Sequence, residues 1–178
     1  LWRSSEDSPP AVLITGPPGA GKTTLLKRLL EVLAARGLSV AGFYTQELRQ
    51  GGQRMGFELV DVRSGRRALL AHVDVSSPYR VSRYGVDLRG FENFLQGLQL
   101  EEAEVVLIDE VGKMECLSPR FQHLVRELLR EGRPLIATVA QKGGGLIQEV
   151  KAHPRVRLIT LKRGRLQEAL QEVLAIAS

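Results

Sequence analysis

Cysteine is all but missing from this chain: Cys116 stands alone among 178 residues. One thiol cannot close an internal disulfide or build a multi-cysteine zinc site, so a reducing, cytoplasmic setting is expected. Histidine is almost as scarce. His72, His123 and His153 share no metal-ligand spacing, form no nucleophile pair, and read as ordinary packing or surface residues. Aromatic residues make up 5% and are mostly scattered, which leaves no evident stacking platform for single-stranded nucleic acid. No run of about 18 apolar residues occurs, so no membrane span is expected. The Asn-Lys-x-Asp that reads guanine is also absent, since Thr138–Lys142 reads TVAQK; this argues against a signalling GTPase of the ordinary type. Acids are the rarer charge, 20 against 25 Lys and Arg, giving a net charge of +5. That balance suits an anionic partner, either a small polyphosphate or a nucleic acid, with the nucleic acid less favoured.

What remains is ordinary globular composition, 43% hydrophobic and 25% charged. Leu1–Pro10 lacks the apolar core of a secretory signal and reads as a flexible tail ahead of one domain over residues 11–178. Short β-type runs recur at Ala11–Thr15, Val40–Tyr44, Val105–Ile108, Leu135–Val139 and Val156–Leu161. Helical stripes lie between several of them: Leu25, Leu26, Leu29, Leu30 and Leu33 stopped by Gly37, then Phe121, Leu124, Val125, Leu128 and Leu129. The second stripe has Ser118 as N-cap, Pro119 at N1 and Gly132 at C′. Leu166, Leu170, Val173 and Leu174 give a closing helix. Strands alternating with helices predict an α/β fold, a mostly parallel sheet covered on both faces. Arg54–Val62 and Arg66–Val73, joined by Arg63-Ser64-Gly65, read as a β-hairpin insertion.

One stretch carries chemistry without ambiguity. Gly16-Pro17-Pro18-Gly19-Ala20-Gly21-Lys22-Thr23 fits G-x-x-x-x-G-K-[ST]. The glycines let consecutive N–H groups wrap a phosphate, and the helix that follows adds its positive dipole end. Lys22 reaches the β- and γ-phosphates, Thr23 offers its hydroxyl to Mg²⁺, and Thr24 is counted with the phosphate-binding set. An apolar strand enters the loop and a leucine-striped helix leaves it, which is the context the motif requires.

A second stretch, Val105–Glu110, is a buried-type strand that ends in two acids. Asp109, at the C-terminal end of a parallel strand, belongs beside the phosphate loop as a metal-side acid. Glu110 points differently and suits the polarisation of an attacking water, which favours hydrolysis over transfer. Lys113 follows, placed to approach the γ-phosphate or to pair with Glu110 or Glu115. Between Arg49 and Arg89 there are eight arginines and no lysine. Arg49 and Arg54 flank Gly51-Gly52 and are the candidates to offset transition-state charge.

Three segments, LITGPPGAGKTTL at Leu13–Leu25, GFYTQELRQGGQRMGFELV at Gly42–Val60 and VLIDEVGKME at Val106–Glu115, resemble the small P-loop enzymes called the thermostable, or cancer-related, nucleoside-triphosphatase family. YGVDL at Tyr84–Leu88 is a weaker fourth match, and the resemblance runs over about residues 11–178. It implies a RecA-like fold and slow, Mg²⁺-dependent hydrolysis of ATP, GTP, CTP and UTP to diphosphate and phosphate. It implies Gly16–Thr23 as the phosphate loop, Asp109 on the metal side, Glu110 in catalysis and Lys113 near the active site, with Arg49, Arg54 and Gly56 in the central signature. Two departures stand out. Thr160–Arg165 lacks the Asn of the family's Thr-x-x-Asn-Arg, and Gln46 replaces a frequent Glu. The expected protein is a monomeric nucleoside-triphosphatase. The alternatives are a nucleotide, nucleoside or polynucleotide kinase using the same loop, or an ATP-dependent nucleic-acid switch.

Overall fold

The computed structural model describes residues 9–177. The tail expected over residues 1–10 lies outside the described residues except for Pro9 and Pro10, and Arg155 Nη2 donates to the Pro9 carbonyl at 2.5 Å. The apolar runs become strands: β1 Ala11–Thr15, β2 Val40–Gln50, β3 Gln53–Asp61, β4 Arg67–His72, β5 Arg80–Val81, β6 Tyr84–Val86, β7 Val105–Val111, β8 Leu135–Val139 and β9 Val156–Thr160. The helices are α1 Lys22–Ala35, α2 Leu88–Gln96, α3 Pro119–Arg130, α4 Leu146–Lys151 and α5 Leu166–Ile176, with a 3-10 turn at Glu115–Leu117.

All nine strands join one sheet in the order β5-β6-β4-β3-β2-β7-β8-β1-β9. From β2 to β9 every pairing is parallel. From β2 to β5 every pairing is antiparallel. The expected α/β class holds, and its hairpin is present as β3–β4. The antiparallel part reaches further than one hairpin, however. β2 runs on past Tyr44 to Gln50 and turns back at Gly51-Gly52, while Tyr84–Leu88 supplies β6 and the start of α2. The polar alternation of Thr45–Gln50 hides this extension, because an edge ribbon that leaves the core buries little.

β1 and β8 are buried along their whole length, and β7 at all but Glu110. Both faces are covered. One apolar layer packs Leu25, Leu26, Leu29 and Leu33 of α1 with Leu170 and Val173 of α5. The other gathers Phe91, Phe121, Val125 and Ile147 from α2, α3 and α4. Phe43 is its centre, edge-on to Phe91 at 6.0 Å, Phe94 at 5.8 Å and Phe121 at 6.3 Å. Phenylalanines scattered in sequence therefore serve the core. The caps of α3 are as expected: Ser118 accepts from Phe121 N–H, and Pro119 is at N1.

At Gly42 the chain has φ +126°, and a Cβ would lie 1.9 Å from the Leu107 carbonyl oxygen. Only glycine lets β2 and β7 meet there. That junction sets the acid strand against β2, whose Thr45 meets Asp109.

Candidate active site

The phosphate loop and the two acids come together at the C-terminal ends of the parallel strands, where ligands bind in open α/β sheets. β1 delivers the loop and β7 the acids, with β8 between them. Gly16 has φ +154°, and a Cβ there would come 2.5 Å from the Leu161 carbonyl oxygen. The segment after β9 thus lies along the loop: Arg163 Nη2 is 3.5 Å from where a Cβ of Gly19 would be, and Leu166 is 3.6 Å from that of Gly21. Gly21 is the N-cap of α1 and has no side chain to cap it. The first amides of that helix therefore have no intrahelical acceptor and face an incoming anion together with the helix dipole. Lys22 Nζ donates to the Gly16 carbonyl at 3.0 Å and lies 3.4 Å from Glu110 Oε2.

Asp109 is 1% exposed and is held by three hydroxyls. Thr23 Oγ1 donates to Oδ2 at 2.8 Å, Thr138 Oγ1 donates to Oδ1 at 2.6 Å, and the Thr45 hydroxyl and N–H both reach Oδ2 at 3.3 Å. The carboxylate is thereby fixed with one oxygen against the Thr23 hydroxyl. The β7–β8 register breaks between Ile108 and Val111, so Asp109 and Glu110 leave the regular ladder and turn to different partners. The Glu110 side chain is 30% exposed. Burial raises its pKa; the Lys22 ammonium pulls it back, and Asp109 adds to the rise.

The structure thus joins Lys22, Thr23, Asp109 and Glu110. Lys113, Arg49 and Arg54 make no ion pair or hydrogen bond with these four among the described residues. Lys113 is exposed on the loop after Glu110 and makes no ion pair with Glu110 or Glu115 among the described residues. Arg49 bonds Glu47 at 2.9 Å and the Gly52 carbonyl at 2.8 Å. Arg54 bonds the Tyr84 hydroxyl at 3.0 Å and Glu47 at 3.3 Å. Both arginines sit at the hairpin tip, and Arg49 is about 13 Å along the strand from Thr45. Burial pushes the Cys116 thiol up to about 12, as suits a packing residue.

Four residues near the site stand outside the candidate set; Thr45 and Glu115 fall within matched segments but carry no assigned role there. Thr45 lies midway along β2 and Thr138 near the end of β8, and only pairing across the sheet brings them to Asp109. Lys151 on α4 donates to the Gln141 carbonyl at 2.8 Å. Burial and the Lys22 charge hold its pKa below the usual lysine range. Glu115 is 5% exposed, and its Oε2 accepts the Glu110 backbone N–H at 3.4 Å. The Val-Gly-Lys-Met-Glu spacing alone gives no sign that Glu115 folds back; the 3-10 turn does that.

Comparison with known proteins identifies the family. A family model described as NTPase matches residues 11–174. A protein of Thermotoga sp. (strain RQ2) named nucleoside-triphosphatase THEP1 is 35% identical, with 93% of this chain and 94% of that one aligned. A Bos taurus protein named cancer-related nucleoside-triphosphatase homolog is 37% identical, covering 91% of this chain and 93% of that one. The crystal structure of THEP1 from Aquifex aeolicus superposes with a TM-score of 0.80 at 29% identity, covering 93% of this chain and 98% of that one. With the family model spanning nearly the whole chain and relatives well above 30% identity at both ends, this chain belongs to the NTPase family of nucleoside-triphosphatases.

Proposed function

We propose that the protein hydrolyses ATP, GTP, CTP and UTP to the diphosphate and phosphate, slowly and with Mg²⁺. The observation that carries this reading is the placement of Glu110, 3.4 Å from Lys22 at the phosphate loop and one residue from an Asp109 held by Thr23. The Thr23 hydroxyl and the Asp109 carboxylate are hard oxygen donors 2.8 Å apart, a donor set that fits Mg²⁺, which takes few protein ligands and keeps waters. Bound there, the ion would neutralise charge on the β- and γ-phosphate oxygens.

The chain's own groups do the rest. The loop amides and the start of α1 bind the phosphates, and Lys22 exchanges its Gly16 contact for phosphate oxygens. Glu110 accepts a hydrogen bond from a water and aligns it with the γ-phosphorus. Its raised pKa, caused chiefly by burial, suits a group that takes a proton as the water attacks. Lys113, on the same loop and without a partner among the described residues, offsets the developing negative charge. The packing of Phe43, Phe91, Phe94 and Phe121 into the core supports a small polyphosphate over nucleic acid as the anionic partner.

Phosphate release from the four nucleotides, in Mg²⁺ and in EDTA, tests this for the parent and Glu110→Gln. The expected result is release from all four in Mg²⁺ only, with turnover at least about 100-fold lower in the variant. Normal turnover by Glu110→Gln would sink the water-orienting role. A phosphorylated acceptor in place of free phosphate would mark a kinase.

A further inference from the structure

Glu115 is a buried acid that the mechanism above does not use. It is 5% exposed, and no described cation lies in ion-pair range of it. A buried carboxyl without a cation is costly to a fold, and such groups persist mainly where they serve a site.

Three features show what it serves. The β7–β8 ladder breaks between Ile108 and Val111, so the Glu110 peptide lacks the regular strand partner that would fix it. Glu115 Oε2 replaces that partner by accepting the Glu110 N–H at 3.4 Å. Gly112 lies between the two side chains, since a Cβ there would be 2.8 Å from Glu110 Oε1 and 3.0 Å from Glu115 Oε1. The fold-back is itself anchored. Cys116 N–H donates to the Gly112 carbonyl at 2.9 Å and Ser118 N–H to the Glu115 carbonyl at 3.0 Å. Ser118 in turn caps α3, so Glu115 is tied to a helix packed in the core.

Resting on the reading of Glu110 as the water-orienting group, we propose that Glu115 is its positioning residue. Its carboxyl oxygen holds the Glu110 peptide outside the strand ladder, which keeps the Glu110 carboxylate beside the Lys22 ammonium. Burial, with the Glu110 charge next, holds the Glu115 carboxyl well above the usual carboxylate range. The bond asks of Glu115 only an acceptor oxygen, a task that an amide carbonyl also performs.

The test measures kcat, KM, affinity for a fluorescent ATP analogue and melting temperature for the parent, Glu115→Gln, Glu115→Met and Glu110→Gln. Gln keeps the acceptor and the shape; Met keeps the volume and removes the acceptor. The expected result is a Glu115→Gln kcat within about threefold of the parent and a Glu115→Met kcat about tenfold or more lower. KM and analogue affinity of Glu115→Met stay near the parent's, and the melting curve shows each variant folded at the assay temperature. Three results would overturn the proposal: Glu115→Met keeping full kcat, Glu115→Gln losing as much as Glu115→Met, or Glu115→Met losing nucleotide affinity together with kcat. The Glu110→Gln arm separates the two claims. Loss there with none in Glu115→Met removes only the positioning role, and normal turnover there removes the reading beneath it.

Discussion

Asp109 owes its geometry to hydroxyls from three separate strands or helices. Thr138 is fully buried, and its bond to Oδ1 is the shortest of the set at 2.6 Å. Thr138→Val keeps the side-chain shape and deletes that donor. It leaves one oxygen of a buried carboxylate unpaired, so a loss of about 1.5–3 kcal/mol in stability is expected by urea unfolding. A loss under about 0.5 kcal/mol would mean that water or Thr45 replaces the donor. At this scale the chemistry of the site was readable in part. Lys22, Thr23, Asp109 and Glu110 carry motifs whose spacing encodes a local geometry. Thr138 does not, because its role depends on a partner 29 residues away.

Elements decide which charge reaches the substrate. The β2–β3 hairpin carries Arg49 and Arg54 away from the acids and binds both to Glu47. These ion pairs are about half exposed, so each contributes at most about 1 kcal/mol, and a nucleotide could draw either arginine off without a large penalty. Lys113 needs no such release. The expected order of kcat loss is therefore Lys113→Ala well above Arg49→Ala and Arg54→Ala, with a difference of about tenfold or more, measured as phosphate release at saturating ATP. The reverse order would move the charge-stabilising role to the hairpin. The hairpin's extent was hidden in the sequence for a physical reason. Thr45–Gln50 alternates polar side chains on a ribbon that leaves the core, so no hydrophobic period marks it. The caps of α3, by contrast, depend on Ser118, Pro119 and Gly132 alone and were legible.

For the whole molecule, the buried acids couple stability to pH. Burial and the Glu110 charge hold Glu115 well above its ordinary value of 4.5, so the folded chain keeps a proton that the unfolded chain loses as pH rises past that value. The folded state then binds more protons than the unfolded one, and stability falls as pH climbs from 4.5 through the folded-state value. Glu115→Gln removes this loss. Its melting temperature is expected to gain on the parent's steadily as pH rises above about 4.5, by circular dichroism in EDTA without nucleotide. A difference independent of pH would place the Glu115 pKa in the usual range. The sequence by itself determined the phosphate loop, the acid pair and the α/β class, because each rests on residue chemistry and short-range spacing. Only the tertiary structure decided that Thr45 and Thr138 converge on Asp109, that Glu115 turns back to Glu110, and that the phenylalanines meet around Phe43. Those outcomes depend on which strands lie side by side, and strand neighbours are chosen by burial of the whole sheet.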